Sequence, residues 1–217
     1  MARRCAAAAS RPPVAPRVEH LSPSDLSALQ AERPPVHMHV GGMLIFGRPP
    51  TRADVADRIR ERLHLIPRYG MRLDEAPLGI SHPVWEDDPD FDPADHVHAV
   101  GLPAPGGMTE LHELMGREMS TPLDRGRPLW EMWVVEGLEG GRGAIVAKMH
   151  HALVDGLAAI DVSTVILDPT PEKLEVPPPE PAATPPAERR AAMAEPLTRL
   201  AAPYLNVPRK MARSAVD

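Results

Sequence analysis

Proline decides where this chain can fold and where it cannot. There are 28 prolines in 217 residues, and many of them crowd into residues 169–186. Such a run lacks the N–H donors and the free φ that a helix interior or a central strand requires. It is predicted to be an extended linker, so the folded core must be built from residues before it. Residues 1–18 are rich in Arg, Ala and Pro and contain no acid. They read as a disordered leader without the apolar stretch of a signal peptide. The expected organisation is a leader (1–18), a folded domain (19–168), a Pro-rich linker (169–187) and an Ala-rich, partly helical tail (188–217).

The composition limits the function. With 43% hydrophobic but only 3% aromatic residues, the core must be built from Leu, Val, Ile, Met and Ala. A net charge of −6 argues against a nucleic-acid binder, which would show a basic face. The single cysteine, Cys5, rules out an intrachain disulfide and fits a reducing compartment. No apolar run approaches the ~20 residues of a membrane span. A cytoplasmic protein is expected, with peripheral contact to membranes or lipid inclusions compatible with it.

Within 19–168 the pattern is mixed α and β. Ser22 and Pro23 open a helix to about Glu32. Residues 36–46 alternate and then turn apolar, predicting a strand with a bulge or bend at Gly41-Gly42. Thr51 caps a helix to about Leu65, with Arg58, Arg60 and Arg62 on a solvated face. Met71-Arg72-Leu73 is a short strand, and residues 95–100 alternate like an edge strand. Thr109 caps a helix carrying Leu111, Leu114, Met115 and Met119. Residues 128–135 and 144–151 are strands joined by a Gly-rich connection, and a helix follows from Asp155 to about Leu167. The expected class is α+β, a mixed sheet flanked by helices.

The chemistry concentrates in His150-His151-Ala152-Leu153-Val154-Asp155-Gly156, where a buried strand meets a helix start. Strand neighbours point to opposite faces, so one histidine faces a cleft while the other packs or hydrogen-bonds. Neutral imidazole is a base near pH 7. It can take the proton from an alcohol or amine attacking a carbonyl. Asp155 can cap the helix or pair with an arginine, and Gly156 permits a tight turn. The competing interpretation is a satisfied core histidine beside a helix cap. No serine elbow accompanies the pair, nor the Cys and His spacing of a zinc site. His37 with His39, and His96 with His98, would each share a strand face. Either pair could bind metal, but edge-strand polarity accounts for both, and no metal is expected.

His150-His151-x-x-x-Asp155-Gly156 resembles the active-site motif of the chloramphenicol-acetyltransferase-like superfamily. Leu21-Ser22-Pro23-Ser24-Asp25, Met38-His39-Val40-Gly41-Gly42, Pro128-Leu129-Trp130 and Asp168-Pro169 resemble segments of its bacterial wax ester synthase/diacylglycerol acyltransferase branch. The resemblance implies transfer of a fatty acyl group from acyl-CoA, a substrate rather than a cofactor, to diacylglycerol or a long-chain alcohol. It makes His151 the general base and His150 its supporting neighbour. Asp155 and Gly156 become structural supports, and Pro128, Leu129 and Trp130 shape the acyl channel or the fold. Family members pair two similar domains, the second carrying an Asn-Asp motif. Here the only asparagine is Asn206, so the sequence corresponds to the N-terminal domain, with the second domain missing and a C-terminal half required. A condensation-type acyltransferase using a carrier-protein thioester, or a non-catalytic lipid- or partner-binding fragment, are the alternatives.

Overall fold

The computed structural model describes residues 16–75, 82–153 and 166–168. They build two sheets. A four-stranded sheet has the order β2–β7–β6–β5, from β2 (His39–Phe46), β5 (Val97–Gly101), β6 (Trp130–Leu138) and β7 (Arg142–His150). β2, β7 and β6 are antiparallel neighbours, whereas β5 lies parallel to β6, so the sheet is mixed as expected. A three-stranded antiparallel sheet has the order β1–β4–β3, from β1 (Val18–His20), β3 (Met71–Asp74) and β4 (Val84–Asp87). The helices are α1 (Pro23–Ala31), α2 (Arg52–Arg62) and α3 (Met108–Ser120).

The helix starts are local chemistry. Ser22 Oγ accepts from the Asp25 N–H, and the Asp25 carboxylate accepts from the Ser22 N–H. Thr51 and Asp54 repeat this box on α2, so both helices satisfy orphan donors within four residues. α3 departs from expectation. Its cap is Gly107 rather than Thr109, and Glu110 Oε2 accepts the Gly107 N–H at 2.8 Å. The preceding turn needs Gly106 at φ 76°, because a Cβ there would lie 2.0 Å from the carbonyl oxygen of Gly137.

The expected bulge at Gly41-Gly42 is not there, since both residues pair in register with Lys148 and Ala147. Gly41 instead serves close approach: a Cβ would meet Met119 Sδ at 2.6 Å. The register irregularity lies on β6 between Val135 and Leu138, where Gly137 takes φ 85°.

Two cores sandwich the larger sheet. On one face Val135, Ala144, Val146 and Trp133 pack with Leu111 and Leu114 of α3. On the other, Trp130, Met132, Val134, Ile145 and Met149 pack with Val55 and Ile59 of α2 and with Tyr69 and Trp85. Lys148, wholly buried on the α3 face, donates to the carbonyls of Glu118 and Thr121 at 3.1 and 3.2 Å. It thereby holds the end of α3, where a cation is favoured. Its ammonium also pairs with Glu131 at 3.0 Å.

The face expected to carry solvated arginines does so only at Arg60, which pairs with Asp57 and with Asp92. Arg62 is 3% exposed. It and Arg58 grip the buried Asp168 carboxylate at 2.5 and 3.1 Å. Spacing of i and i+4 puts both guanidiniums on one side of α2, and residues 166–168 pack against that side.

Candidate active site

His150 is the last residue of β7 and is almost wholly buried. Its backbone N–H donates to the Leu129 carbonyl at 2.9 Å, and the N–H of His151 donates to the Met38 carbonyl at 2.7 Å. The two histidines are therefore tied to opposite neighbours. Leu129 precedes β6 and Met38 precedes β2, the strands that flank β7.

The two rings do different things. His150 Nδ1 accepts the Ala152 N–H at 3.0 Å, so in the neutral ring the proton sits on Nε2. Nε2 in turn faces Glu32 Oε2 at 3.6 Å. Burial pushes the His150 pKa down to about 4, which keeps the ring neutral at working pH. His151 is half-buried, and among the described residues its imidazole has no hydrogen-bond or ion-pair partner. His150 is thus the packed histidine and His151 the available one. Asp155 and Gly156 lie outside the described residues, as does the expected helix up to residue 165.

Behind His150 sits a group that sequence reasoning did not assemble. Glu32 pairs with Arg125 at 2.8 Å, and Arg125 also donates to the Leu29 carbonyl at 3.1 Å. Burial works to raise the Glu32 pKa. The Arg125 hydrogen bond, His150 once protonated in the acid range where Glu32 titrates, the Arg125 charge and the Met38 N–H outweigh it and leave the carboxyl below its ordinary value. His37 and His39 stack, with centroids 5.0 Å apart, on the same carboxylate. Edge-strand polarity does not explain His39. β2 is an edge, yet that side chain is only 2% exposed. Burial lowers its pKa. These three residues are the described ones that could hold a metal ion. His96 and His98 are not paired. His96 is buried in a short helical turn, donating to the Trp130 carbonyl at 2.9 Å, while His98 lies on β5 beside Trp133.

Pro128, Leu129 and Trp130 are buried, and Trp130 Nε1 donates to the Tyr69 carbonyl at 2.8 Å. Leu129 and Trp130 belong to the core, and the Leu129 carbonyl accepts the His150 N–H. None of the three lines the cleft of about 250 Å³ on that face of the sheet. Its walls include Leu44, Phe46, Met132, Ile145 and Met149, with Asp54, Arg58 and Asp168 as polar members.

The model of the wax ester synthase/diacylglycerol acyltransferase catalytic domain matches residues 21–216. The chain belongs to that family. It is 43% identical over 178 residues to "Probable diacyglycerol O-acyltransferase tgs3" of Mycobacterium tuberculosis, covering 77% of this chain and 65% of that protein. The solved wax ester synthase/diacylglycerol acyltransferase from Marinobacter aquaeolei VT8 is similar at TM-score 0.61 and 32% identity, over 87% of this chain and 47% of that one. The starter condensation domain of rhizomide synthetase, solved as a mutant in complex with C8-CoA, shares the fold at TM-score 0.56 and 12% identity, over 69% of this chain and 34% of that one. The expected α+β, chloramphenicol-acetyltransferase-like fold therefore holds. The chain spans just under two thirds of the tgs3 relative and about half of the Marinobacter enzyme.

Proposed function

We propose that this chain carries the proton-transfer wall of an acyl-CoA-dependent O-acyltransferase of the wax ester synthase/diacylglycerol acyltransferase family. The observation that carries the reading is the division of labour at the end of β7. His150 is sealed and hydrogen-bonded, whereas His151 is held by its backbone with its ring unpartnered among the described residues. His151 is the general base. It takes the proton of a diacylglycerol or long-chain alcohol hydroxyl as that oxygen attacks the thioester carbonyl, help typically worth ~10²–10⁴ in rate. The oxyanion that develops needs donors aimed at it. Breakdown of the adduct expels CoA thiolate and leaves the ester, with no covalent acyl-enzyme.

The apolar cleft beneath β7 suits part of a fatty acyl chain, since Met149 of its wall lies two residues before His151. The coverage of the Marinobacter enzyme supports a further requirement. Turnover needs a second domain, in a longer chain or as a separate partner, to close the site against water. Among the described residues no helix is long and apolar enough to cross a membrane. In this reading the lipid acceptor is met peripherally, at a membrane or lipid-inclusion surface.

The test is ester formation from labelled palmitoyl-CoA with diacylglycerol or hexadecanol, using this chain with a C-terminal domain supplied from a relative. Ester is expected, and loss of it with His151→Ala. Full activity of that variant would remove His151 from the chemistry. Transfer only from an acyl-carrier protein would favour the condensation-type reading, and binding of palmitoyl-CoA without turnover would favour the non-catalytic one.

A further inference from the structure

We propose that Glu32, His37 and His39 form a binding site for one divalent transition-metal ion of the zinc type. One potential ligand atom from each lies within 4.8 Å of the other two. Glu32 Oε1 is 3.8 Å from His37 Nδ1 and 3.7 Å from His39 Nε2. Tetrahedral zinc with bonds near 2.0–2.1 Å spaces its ligands by roughly 3.3 Å, so closing the site takes shifts of only a few tenths of an ångström at these two contacts.

The protonation pattern is what asks for a cation. His39 Nδ1 lies 3.1 Å from the Met119 carbonyl oxygen. A carbonyl only accepts, so Nδ1 carries the proton and a neutral His39 presents a bare Nε2 lone pair. That atom has no hydrogen-bond partner, on a side chain 2% exposed, and it points at a carboxylate oxygen. Two lone pairs face one another where water is scarce, and a metal ion between them turns the repulsion into two bonds. A ring N–H given to a backbone carbonyl is also how metal-ligating histidines are commonly oriented.

The neighbours divide the carboxylate. Arg125 holds Oε2 at 2.8 Å, which leaves Oε1 for the ion. His150 is not a ligand, because its Nδ1 is occupied by the Ala152 N–H and its Nε2 carries the proton. His37 Nδ1 is likewise without a hydrogen-bond partner. The His37 and His39 rings are parallel to within 6°, so one must turn for both lone pairs to converge. His37, at 14% exposure against 2%, is the freer to turn about its Cβ–Cγ bond. Three protein donors leave a fourth position for water. The ion would tie α1's C-terminal end to residues 37–39, and so to the Met38 carbonyl that holds His151.

The test uses the full chain, stripped with a chelator and titrated with Zn²⁺ in a calorimeter, and needs no acyltransfer activity. One ion per chain is expected. His37→Asn and Glu32→Gln should each weaken binding at least tenfold, while His98→Asn leaves it unchanged. Co²⁺ should give visible d–d absorption that His37→Asn abolishes, with circular dichroism confirming that the variant is folded. Absence of stoichiometric uptake would overturn the site and assign the His39 lone pair to a proton. Uptake that survives both substitutions would place the ion elsewhere and overturn it equally.

Discussion

His150 Nδ1 accepts the backbone N–H of Ala152 at 3.0 Å, so the side chain of the last strand residue caps the turn that follows it. This bond sets the His150 tautomer and shapes the turn that begins at His151. It explains how two adjacent histidines take separate roles without strand alternation beyond β7.

With His151 as the proposed general base, His150→Ala should impair acyl transfer without removing that base. Ala152 loses its acceptor, and the turn carrying His151 is loosened although its backbone bonds to Met38 and His150 remain. A misplacement of about 1 Å can cost on the order of 10²-fold in rate. The check is kcat against KM for His150→Ala and His150→Asn in the two-domain assay. Asn can still accept from Ala152 and should recover part of the loss. Wild-type kcat in the alanine variant would show that the turn does not depend on His150.

Asp168→Asn should destabilise the fold by about 3–5 kcal/mol, the usual cost of breaking a buried ion pair from one side. Arg62 is 3% exposed and pairs with this carboxylate, so neutralising Asp168 removes a charged partner from a buried guanidinium. Urea unfolding of the full chain measures it. A change below about 0.5 kcal/mol, as for an ordinary surface site, would show that water reaches the pair.

Lys148→Met should cost about 3 kcal/mol. The substitution keeps the volume but removes the ammonium from the carbonyls of Glu118 and Thr121 at the end of α3 and from the Glu131 carboxylate. Amide hydrogen exchange should speed up first in the last turn of α3. Unchanged protection there would show that the helix end is held by packing alone.

Stability should fall as the pH drops below about 6.5, the ordinary histidine value. Burial lowers the folded-state pKa of His150 to about 4, and that of His96 is lowered as well. Below 6.5 the unfolded chain binds protons that the folded one refuses, so the contribution is full above 6.5 and is lost as the pH falls. For His150 the window runs down to about 4, and the loss is on the order of 3 kcal/mol. His96→Gln should flatten the slope of unfolding free energy between pH 4 and 6.5. A slope equal to that of the unsubstituted chain would mean that His96 is not buried in the folded state.

The elements legible in sequence were those whose cause is local. Ser22 with Asp25 and Thr51 with Asp54 announce helices within four residues, and long, largely apolar runs announce β2, β6 and β7. The short strands β1 and β4 were not legible. Three or four residues carry no periodicity, and their stability comes from each other, with Val18 opposite Glu86 and His20 opposite Val84. Thr109 was a plausible cap, but the turn at Gly106 moved the helix start to Met108.

The sequence alone determined that a histidine pair stands at a strand end, in a family order of motifs specific enough to imply acyl transfer. Which histidine is sealed was decided in three dimensions. Glu32 and Arg125 stand 93 residues apart, and His39 reaches Met119 across 80. Contacts at such separations leave no local pattern, because they exist only once the sheet has closed and water has been removed from between its strands and helices. Tertiary burial also distinguishes Arg60, which remains a surface cation, from Arg62, which becomes a buried partner of Asp168.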